Sequence, residues 1–290
     1  MTNVFNPRDM AELTACLPQL EPGAVIAGGC TDLSVRFLKE PLPGQILNVT
    51  LVQGIKGIFT EGGCLHLGAA ATLSELEETE LPEGFSALKQ AASSIGSKQI
   101  RSMATIGGNV MNASPASDLL PCLFMFGAAA EFMKPDGSLH ERPIGDLVIG
   151  AGKTSLAYNE VLTAVKLPLA RESGWRSAFV KLGFRKRVTV SRIGIAVSAL
   201  ETGGRVCGVR FIMGAVAPVP VRVPEAEKIL LENSWDDNTA DALAAYLADL
   251  LNRTVPAEFD RDYKVSAVRG AAHDVLRMFP FFKEAGAKSP

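Results

Sequence analysis

The chain has 290 residues and a net charge of −2, with 47% hydrophobic and 21% charged residues. Such a length exceeds a typical single core, and this composition is that of a folded globular protein, so we expect two domains. The 29 Lys and Arg residues are scattered, which argues against a nucleic-acid partner. With no run of about 18 apolar residues and no signal-peptide pattern at the N-terminus, we predict a cytoplasmic protein without membrane insertion.

The first part of the chain alternates helical and strand patterns. Apolar spacing predicts a helix over residues 8–20, and a strand at 24–27 ends in the turn Gly28-Gly29 before a second apolar run at 33–38. The further predicted elements are strands at 45–50 and 64–69, a helix that begins with a Thr72/Glu75 capping box, helices at 86–95 and 119–126, a hairpin around 134–137 and a strand ending at Pro168.

The polar segment ARESG follows, and we place the domain boundary there, giving domains over 1–169 and 170–290. The second domain is predicted to contain strands at 177–182, 192–200 and 205–213, then helices at 224–231 and 239–251. The whole pattern predicts a strand-rich α+β fold.

Three features resemble other kinds of site, but each has a simpler explanation. GAGKTS at 150–155 is not a P-loop, because Leu147 stands where the first glycine is required. Five cysteines without a CxxC pair and three histidines out of helical reach predict no disulfide framework and no metal site. The basic run at 185–187 is interpreted as a solvated turn between strands.

Two glycine pairs carry the functional signal. The first loop, AGGCTDL at 27–33, follows a strand, and the second loop is TIGGNVMNASPASDLLP at 105–121. Glycine lets main-chain N–H groups approach a ligand closely, so we expect the two loops to converge on one pyrophosphate. A plain turn is the alternative for either pair alone. Asp118 either caps the following helix or accepts hydrogen bonds from ligand hydroxyls, and both roles can hold together.

With these motifs, the chain resembles the FAD-binding subunits, or middle domains, of molybdenum hydroxylases such as xanthine dehydrogenase and aerobic carbon monoxide dehydrogenase. The resemblance runs from about residue 8 to about residue 280 and includes KQIRSMATIGGN, GKTSLAYNEVLTAVKLP, FIMGAVAPVPVR and DYKVSAVRGAA. It implies a two-subdomain FAD-binding domain of the vanillyl-alcohol-oxidase-like superfamily, followed by a small α+β domain with an antiparallel sheet.

The resemblance also implies which residues contact FAD. They are Val25, Ile26, Ala27, Gly28, Gly29, Cys30, Thr31 and Asp32 from the first loop, Thr105, Ile106, Gly107, Gly108, Asn109, Ser114 and Asp118 from the second, and Ile95, Leu162 and Lys181 close to the isoalloxazine. The sequence departs from the family pattern in two places. Cys30 stands where the family has Gly or a small polar residue, or marks a one-residue insertion, and His273-Asp274 replaces a frequent Tyr-Arg pair.

By the same resemblance, the chain is an oxidoreductase subunit with no catalytic residue or metal of its own. A [2Fe–2S] small subunit and a molybdopterin-binding large subunit would be its partners, and electrons would leave FAD for NAD+ or another acceptor. One alternative is a stand-alone flavin reductase of the same superfamily, of the UDP-N-acetylenolpyruvoylglucosamine reductase type. A flavin-free assembly module is another.

Overall fold

Turn-forming residues divide this chain into many short elements, which assemble into two units that are each discontinuous in sequence. The computed structural model describes residues 1–169, 174–185 and 188–283. The described part of the first unit comprises residues 1–79, 96–114 and 127–169, and that of the second comprises 80–95, 115–126 and the described residues from 174 to 283. The segment ARESG and two of the three residues of the basic run fall largely outside the described ranges.

A small parallel sheet begins the first unit. Strands β1 (Asn3–Phe5) and β2 (Val25–Ala27) pair on either side of β3 (Gln45–Asn48). Helix α1 (Met10–Cys16) starts at Asp9, whose carboxylate accepts a hydrogen bond from the N–H of Glu12, and a 3₁₀ turn continues it. Because Leu13, Leu17 and Leu47 pack in one core, the sheet is closed on one side by the predicted helix.

A five-stranded antiparallel sheet is the larger sheet of the first unit, and it confirms the predicted hairpin and the strand that ends at Pro168. Its order is β4 (Ile58–Glu61), β5 (Cys64–Gly68), β10 (Val161–Pro168), β6 (Ala129–Met133) and β7 (Leu139–Pro143). A separate ribbon joins β8 (Val148–Gly150) to β9 (Lys153–Thr154), so GAGKTS makes a tight β-turn.

The described part of the first unit also contains five short helices after α1. They are α2 (Leu33–Arg36), α3 (Leu73–Glu78), α5 (Lys98–Arg101), α6 (Ile106–Asn112) and α8 (Ile144–Leu147). The Thr72/Glu75 capping box that the sequence predicts is present at α3. The start of the second loop, in contrast, is not a loop, because Thr105 caps α6 and both glycines lie in its first turn.

The second unit packs helices on an antiparallel sheet, as expected from the resemblance. Strands β11 (Trp175–Leu182), β12 (Ile193–Thr202), β13 (Arg205–Gly214) and β14 (Val221–Arg222) lie in that order. The helices are α4 (Ser86–Ser94), α7 (Leu119–Met125), α9 (Pro224–Glu232), α10 (Asp237–Thr254) and α11 (Arg261–Arg277).

Helix α11 is the largest element that the sequence reasoning missed. Its buried face uses Lys264, Val268, Ala271, Ala272, Val275 and Leu276, where a lysine and two alanines weaken the apolar pattern. The helix packs against α10, and His273 Nε2 lies 2.9 Å from Asp241 Oδ1. Within the described ranges, no helix is both long and apolar enough to cross a lipid bilayer.

Candidate functional site

The first loop leaves a run of main-chain donors without protein acceptors. Strand β2 ends at Ala27, whose carbonyl still accepts a hydrogen bond from the N–H of Val49. The N–H groups of residues 28–32 donate to no residue in the described part of the chain, and the next hydrogen-bonded amide is that of Ser34, to the Cys30 carbonyl. Successive free N–H groups of this kind form an anion-binding concavity.

Cys30 gives this loop its curvature. Its φ angle is +57°, in the left-handed region, whereas Asp32 is right-handed. The residue is therefore not only a departure from the family pattern, because it also occupies a position at which the backbone favours glycine.

The two loops touch, and only glycine permits the contact. A Cβ atom on Gly29 would lie 1.6 Å from the carbonyl oxygen of Met103, and one on Gly28 would lie 2.5 Å from Thr105 Oγ1. Real Cβ atoms do not approach backbone atoms this closely. The first loop therefore packs directly against residues 103–105, so it contacts the start of the second loop.

The glycine pair of the second loop has a different role from the one expected. The N–H groups of Ile106 and Gly107 donate to the carbonyls of Ala71 and Ala69, each at 2.8 Å, and Gly108 N–H donates to Thr105 Oγ1 at 3.0 Å. A Cβ on Gly107 would lie 2.7 Å from the Ala69 carbonyl oxygen. The pair therefore serves close packing of α6, and its N–H groups already have protein acceptors.

Two cavities lie on either side of the contact between Gly28 and Thr105, and both residues line both of them. The larger cavity, of about 590 Å³, is lined in addition by Ala27, Gly29, Cys30, Asn48, Lys56, Thr72, Glu75 and Met103, among others. The smaller one, of about 270 Å³, is lined by Ile26, Val49, Gly107, Gly108, Met111, Tyr158, Glu160, Val161 and Leu162, among others. An elongated ligand with a charged middle and an apolar end fits such a pair.

Asp118 belongs to a buried polar cluster of the second unit. Its Oδ2 atom accepts hydrogen bonds from Lys181 Nζ at 2.6 Å and Ser94 Oγ at 3.0 Å, and its Oδ1 atom accepts one from Ser191 Oγ. Asp118 precedes α7, but its side chain makes no cap hydrogen bond. Of the two roles expected from sequence, the side-chain cap is therefore wrong, and the carboxylate has few acceptor positions left for a ligand.

The remaining predicted residues differ in whether they line one of the two cavities. Leu162 is 4% exposed and faces the smaller cavity from β10, whereas the side chain of Ile106 is fully buried in the core. Ile95 follows the last residue of α4. The predicted residues that line neither cavity within the first unit are Val25, Thr31, Asp32, Ile106, Asn109 and Ser114.

Sequence reasoning missed several residues that line the cavities, chiefly Asn48, Lys56, Thr72, Met111 and Tyr158. They come from five separate places in the chain, and no short motif contains two of them. The capping signal at Thr72 predicts only a helix start. Met111 and Tyr158 lie within the quoted motifs, and Asn48 and Thr50 lie at the end of β3, where polar residues that follow a strand are a further hint.

Comparisons with known proteins identify the family of this chain. Residues 1–170 match the family model described as the FAD binding domain in molybdopterin dehydrogenase, and residues 178–278 match the CO dehydrogenase flavoprotein C-terminal domain. The xanthine dehydrogenase FAD-binding subunit of Escherichia coli O157:H7 is 30% identical over 249 residues, which are 85% of this chain and 84% of that protein.

Two further relatives cover still more of the chain. The nicotinate dehydrogenase FAD-subunit of Eubacterium barkeri is 28% identical over 276 residues, 92% of each protein. The solved structure of carbon monoxide dehydrogenase from Hydrogenophaga pseudoflava superposes with a TM-score of 0.82 at 26% identity, over 95% of this chain and 96% of that one.

Proposed function

Since this chain belongs to the family of molybdopterin-dehydrogenase FAD-binding proteins, we propose that it is the electron-transfer flavoprotein of a molybdenum hydroxylase complex. Its cofactor is FAD, and it is an oxidoreductase subunit. In the proposal, electrons arrive from [2Fe–2S] clusters on one partner subunit, after substrate oxidation on a molybdopterin-binding partner. They leave for NAD+ or another acceptor, in the cytoplasm.

The observation that carries this proposal is the run of free N–H groups at residues 28–32. FAD contains a diphosphate, and an anion of this kind suits successive free main-chain donors, of which those of residues 28–30 line the larger cavity. Gly28 and Gly29 keep the loop against Thr105, so the donors are fixed before the ligand arrives. The first loop would therefore hold the diphosphate.

Other residues of the chain would position the rest of the cofactor. The smaller cavity would take an aromatic ring system against Leu162 and exclude water from it. Bound FAD supplies the redox chemistry by accepting and releasing electrons, while the protein supplies binding, orientation and electrostatics. By the resemblance alone, we also propose Ile95, Asp118 and Lys181 as flavin contacts, and a cofactor domain that ends at residue 169.

FAD loading of purified protein tests the site. We expect a yellow protein with an absorption band near about 450 nm, as oxidised flavins have. Gly29→Ala should lose most of the FAD, because its Cβ collides with the Met103 carbonyl. Gly44→Ala is the matched control, since a Cβ there meets no atom within 4 Å. Wild-type protein that stays colourless after incubation with FAD would contradict the proposal, as would full FAD content in Gly29→Ala.

Purification from native extract tests the proposed complex. We expect the chain to emerge with two other subunits and with molybdenum and iron in the same fraction. Recovery as a free monomer that oxidises NADPH with a sugar nucleotide would instead favour the stand-alone reductase. The substrate of the complex is a purine in our proposal, by analogy with xanthine dehydrogenase.

A further inference from the structure

The larger cavity is lined by a lysine, Lys56, that lies in none of the sequence motifs described above. Lys56 lines it together with Gly28, Gly29 and Cys30, the residues that begin the run of free N–H groups. Among the described residues that line the two cavities, Lys56 is the only cation. Its ammonium group has no ion pair or hydrogen bond with any residue that the structure describes.

The backbone around Lys56 is held firmly. Lys56 closes the 3₁₀ turn at Gln53–Ile55, immediately before β4. On one side, the Ile55 carbonyl accepts a hydrogen bond from Ala70 N–H, and on the other the Gly57 carbonyl accepts one from Gly68 N–H, both at 2.9 Å. Since this stretch is anchored on both sides, the side chain leaves from a fixed point.

The nearby carboxylate does not neutralise this lysine. Glu75 lines the same cavity, but its Oε2 atom accepts hydrogen bonds from the N–H and the hydroxyl of Thr72, as part of the capping box at α3. The larger cavity thus combines free main-chain N–H groups, which carry partial charges, with one unpaired full positive charge. A ligand with two adjacent phosphates would satisfy both.

We propose that Lys56 supplies the positive charge that pairs with the FAD diphosphate and contributes directly to cofactor affinity. The inference rests on the proposed function, in which the diphosphate lies at residues 28–32. Lysine suits the task because its ammonium is a compact point charge on a long stem, which reaches a phosphate without a fixed bidentate geometry.

Titration of the FAD-free full chain with FAD, followed by flavin fluorescence, tests the proposal. Lys56→Met keeps the apolar stem and removes the charge, and should raise the Kd for FAD about ten-fold in low salt. Lys56→Arg keeps the charge and should stay within about three-fold of wild type. Lys153→Met is the control, because Lys153 is exposed and lines neither cavity, and its Kd should equal that of wild type.

Salt dependence separates a charge effect from a change of shape. Between about 0.01 M and about 1 M salt the Debye length falls from about 30 Å to about 3 Å, so the affinity gap between wild type and Lys56→Met should narrow. An unchanged Kd for Lys56→Met, a salt-independent gap, or an Arg variant as weak as the Met variant would each overturn the role of Lys56. If wild-type protein itself binds no FAD, the proposed function fails instead.

Discussion

Gly29 and Cys30 are adjacent but are constrained for different reasons. Gly29 is required for space, since any Cβ would overlap the Met103 carbonyl. Cys30 has room for its exposed side chain, but its backbone lies in the left-handed region at a cost of about 1 kcal/mol. The close contact at Gly29 holds the loop in the conformation in which the N–H groups of residues 28–32 are free, and the left-handed backbone at Cys30 is an energetic cost of that conformation.

We expect Asp118 to contribute strongly to the free energy of unfolding, although in sequence it lies beside a predicted ligand-binding motif. Its carboxylate is 3% exposed and pairs with Lys181, which is 11% exposed. Asp118→Ala leaves a buried ammonium without its counter-ion, so we expect a loss of about 3–5 kcal/mol of unfolding free energy. Urea unfolding of the FAD-free protein, followed by tryptophan fluorescence, measures it, because Trp175 and Trp235 both lie in the second unit.

Asp262→Ala is the matched control for Asp118→Ala. The side chain of Asp262 is 98% exposed, and its contact with Arg261 at 3.8 Å is a surface ion pair. Its loss should cost less than about 1 kcal/mol. If Asp118→Ala unfolds within that same margin, the carboxylate is not a structural centre of the second unit.

Among the elements, α6 contains a glycine motif whose structural role differs from the phosphate-binding role that the sequence predicts. Gly107 and Gly108 look like a phosphate loop, yet they form the first helical turn, where Thr105 and two alanine carbonyls accept the N–H hydrogen bonds. The N–H groups at the start of a helix remain free for a ligand only when no neighbouring group of the protein accepts their hydrogen bonds. The segment that follows β5 supplies acceptors here, because the carbonyls of Ala69 and Ala71 bind N–H groups of the first turn of α6.

The five-stranded sheet carries an ion-pair network that should make its stability depend on pH. Lys166 Nζ on β10 lies 2.5 Å from Glu131 on β6 and 2.7 Å from Glu141 on β7. Burial alone raises the pKa of Glu131, but hydrogen bonds from Lys166 and Thr163 and the charge of Lys166 outweigh it and leave the pKa lowered. Burial lowers the pKa of Lys166, and its bonds to Glu131 and Glu141 outweigh that and raise it.

The sign of each shift defines where the network stabilises the sheet. A lowered glutamate pKa gives stability above the ordinary value of 4.5, which is lost as pH falls through the folded-state value. A raised lysine pKa gives stability below the ordinary value of 10.5, which is lost as pH rises through the folded-state value. The network should therefore be fully effective between these two pH values.

Glu131→Gln should be less stable than wild type by roughly 1–2 kcal/mol at neutral pH, because Lys166 and Thr163 lose a charged acceptor. The difference should shrink as pH falls from 4.5 through the lowered folded-state pKa of Glu131, because folded wild type then also loses the charge. Hydrogen exchange of peptides from β6 and β10 measures it. Glu61→Gln, at an exposed position of β4, should show no such difference. A gap that stays constant into acid would contradict the assignment.

At the scale of the molecule, FAD should stabilise the protein by mass action, because the unfolded chain has no organised site. FAD at about 100 times its Kd adds about 2.7 kcal/mol. Calorimetric unfolding should therefore show a transition that rises steadily with FAD concentration in wild type. Gly29→Ala should show little rise, and an FAD-independent transition in wild type would contradict the proposed site.

The domain organisation illustrates the limit of reading a chain linearly. The α+β class, the C-terminal antiparallel sheet and most strands followed from apolar periodicity and turn residues, which are local properties. The assignment of residues 80–95 and 115–126 to the second unit did not follow from these local properties. Both segments contain helices whose buried faces find partners only in the fold, and no local pattern states which sheet a helix will cover.

The sequence by itself determined the family and the cofactor, because the resemblance rests on short contiguous motifs that can be identified without the fold. Only the tertiary structure decided which loop offers free N–H groups, that Asp118 pairs with Lys181, and that Lys56 faces the same cavity as Gly28. Each of these depends on partners tens of residues away in the chain. A hydrogen-bond donor is free or satisfied according to what the fold brings to it, and a single stretch of sequence does not contain that information.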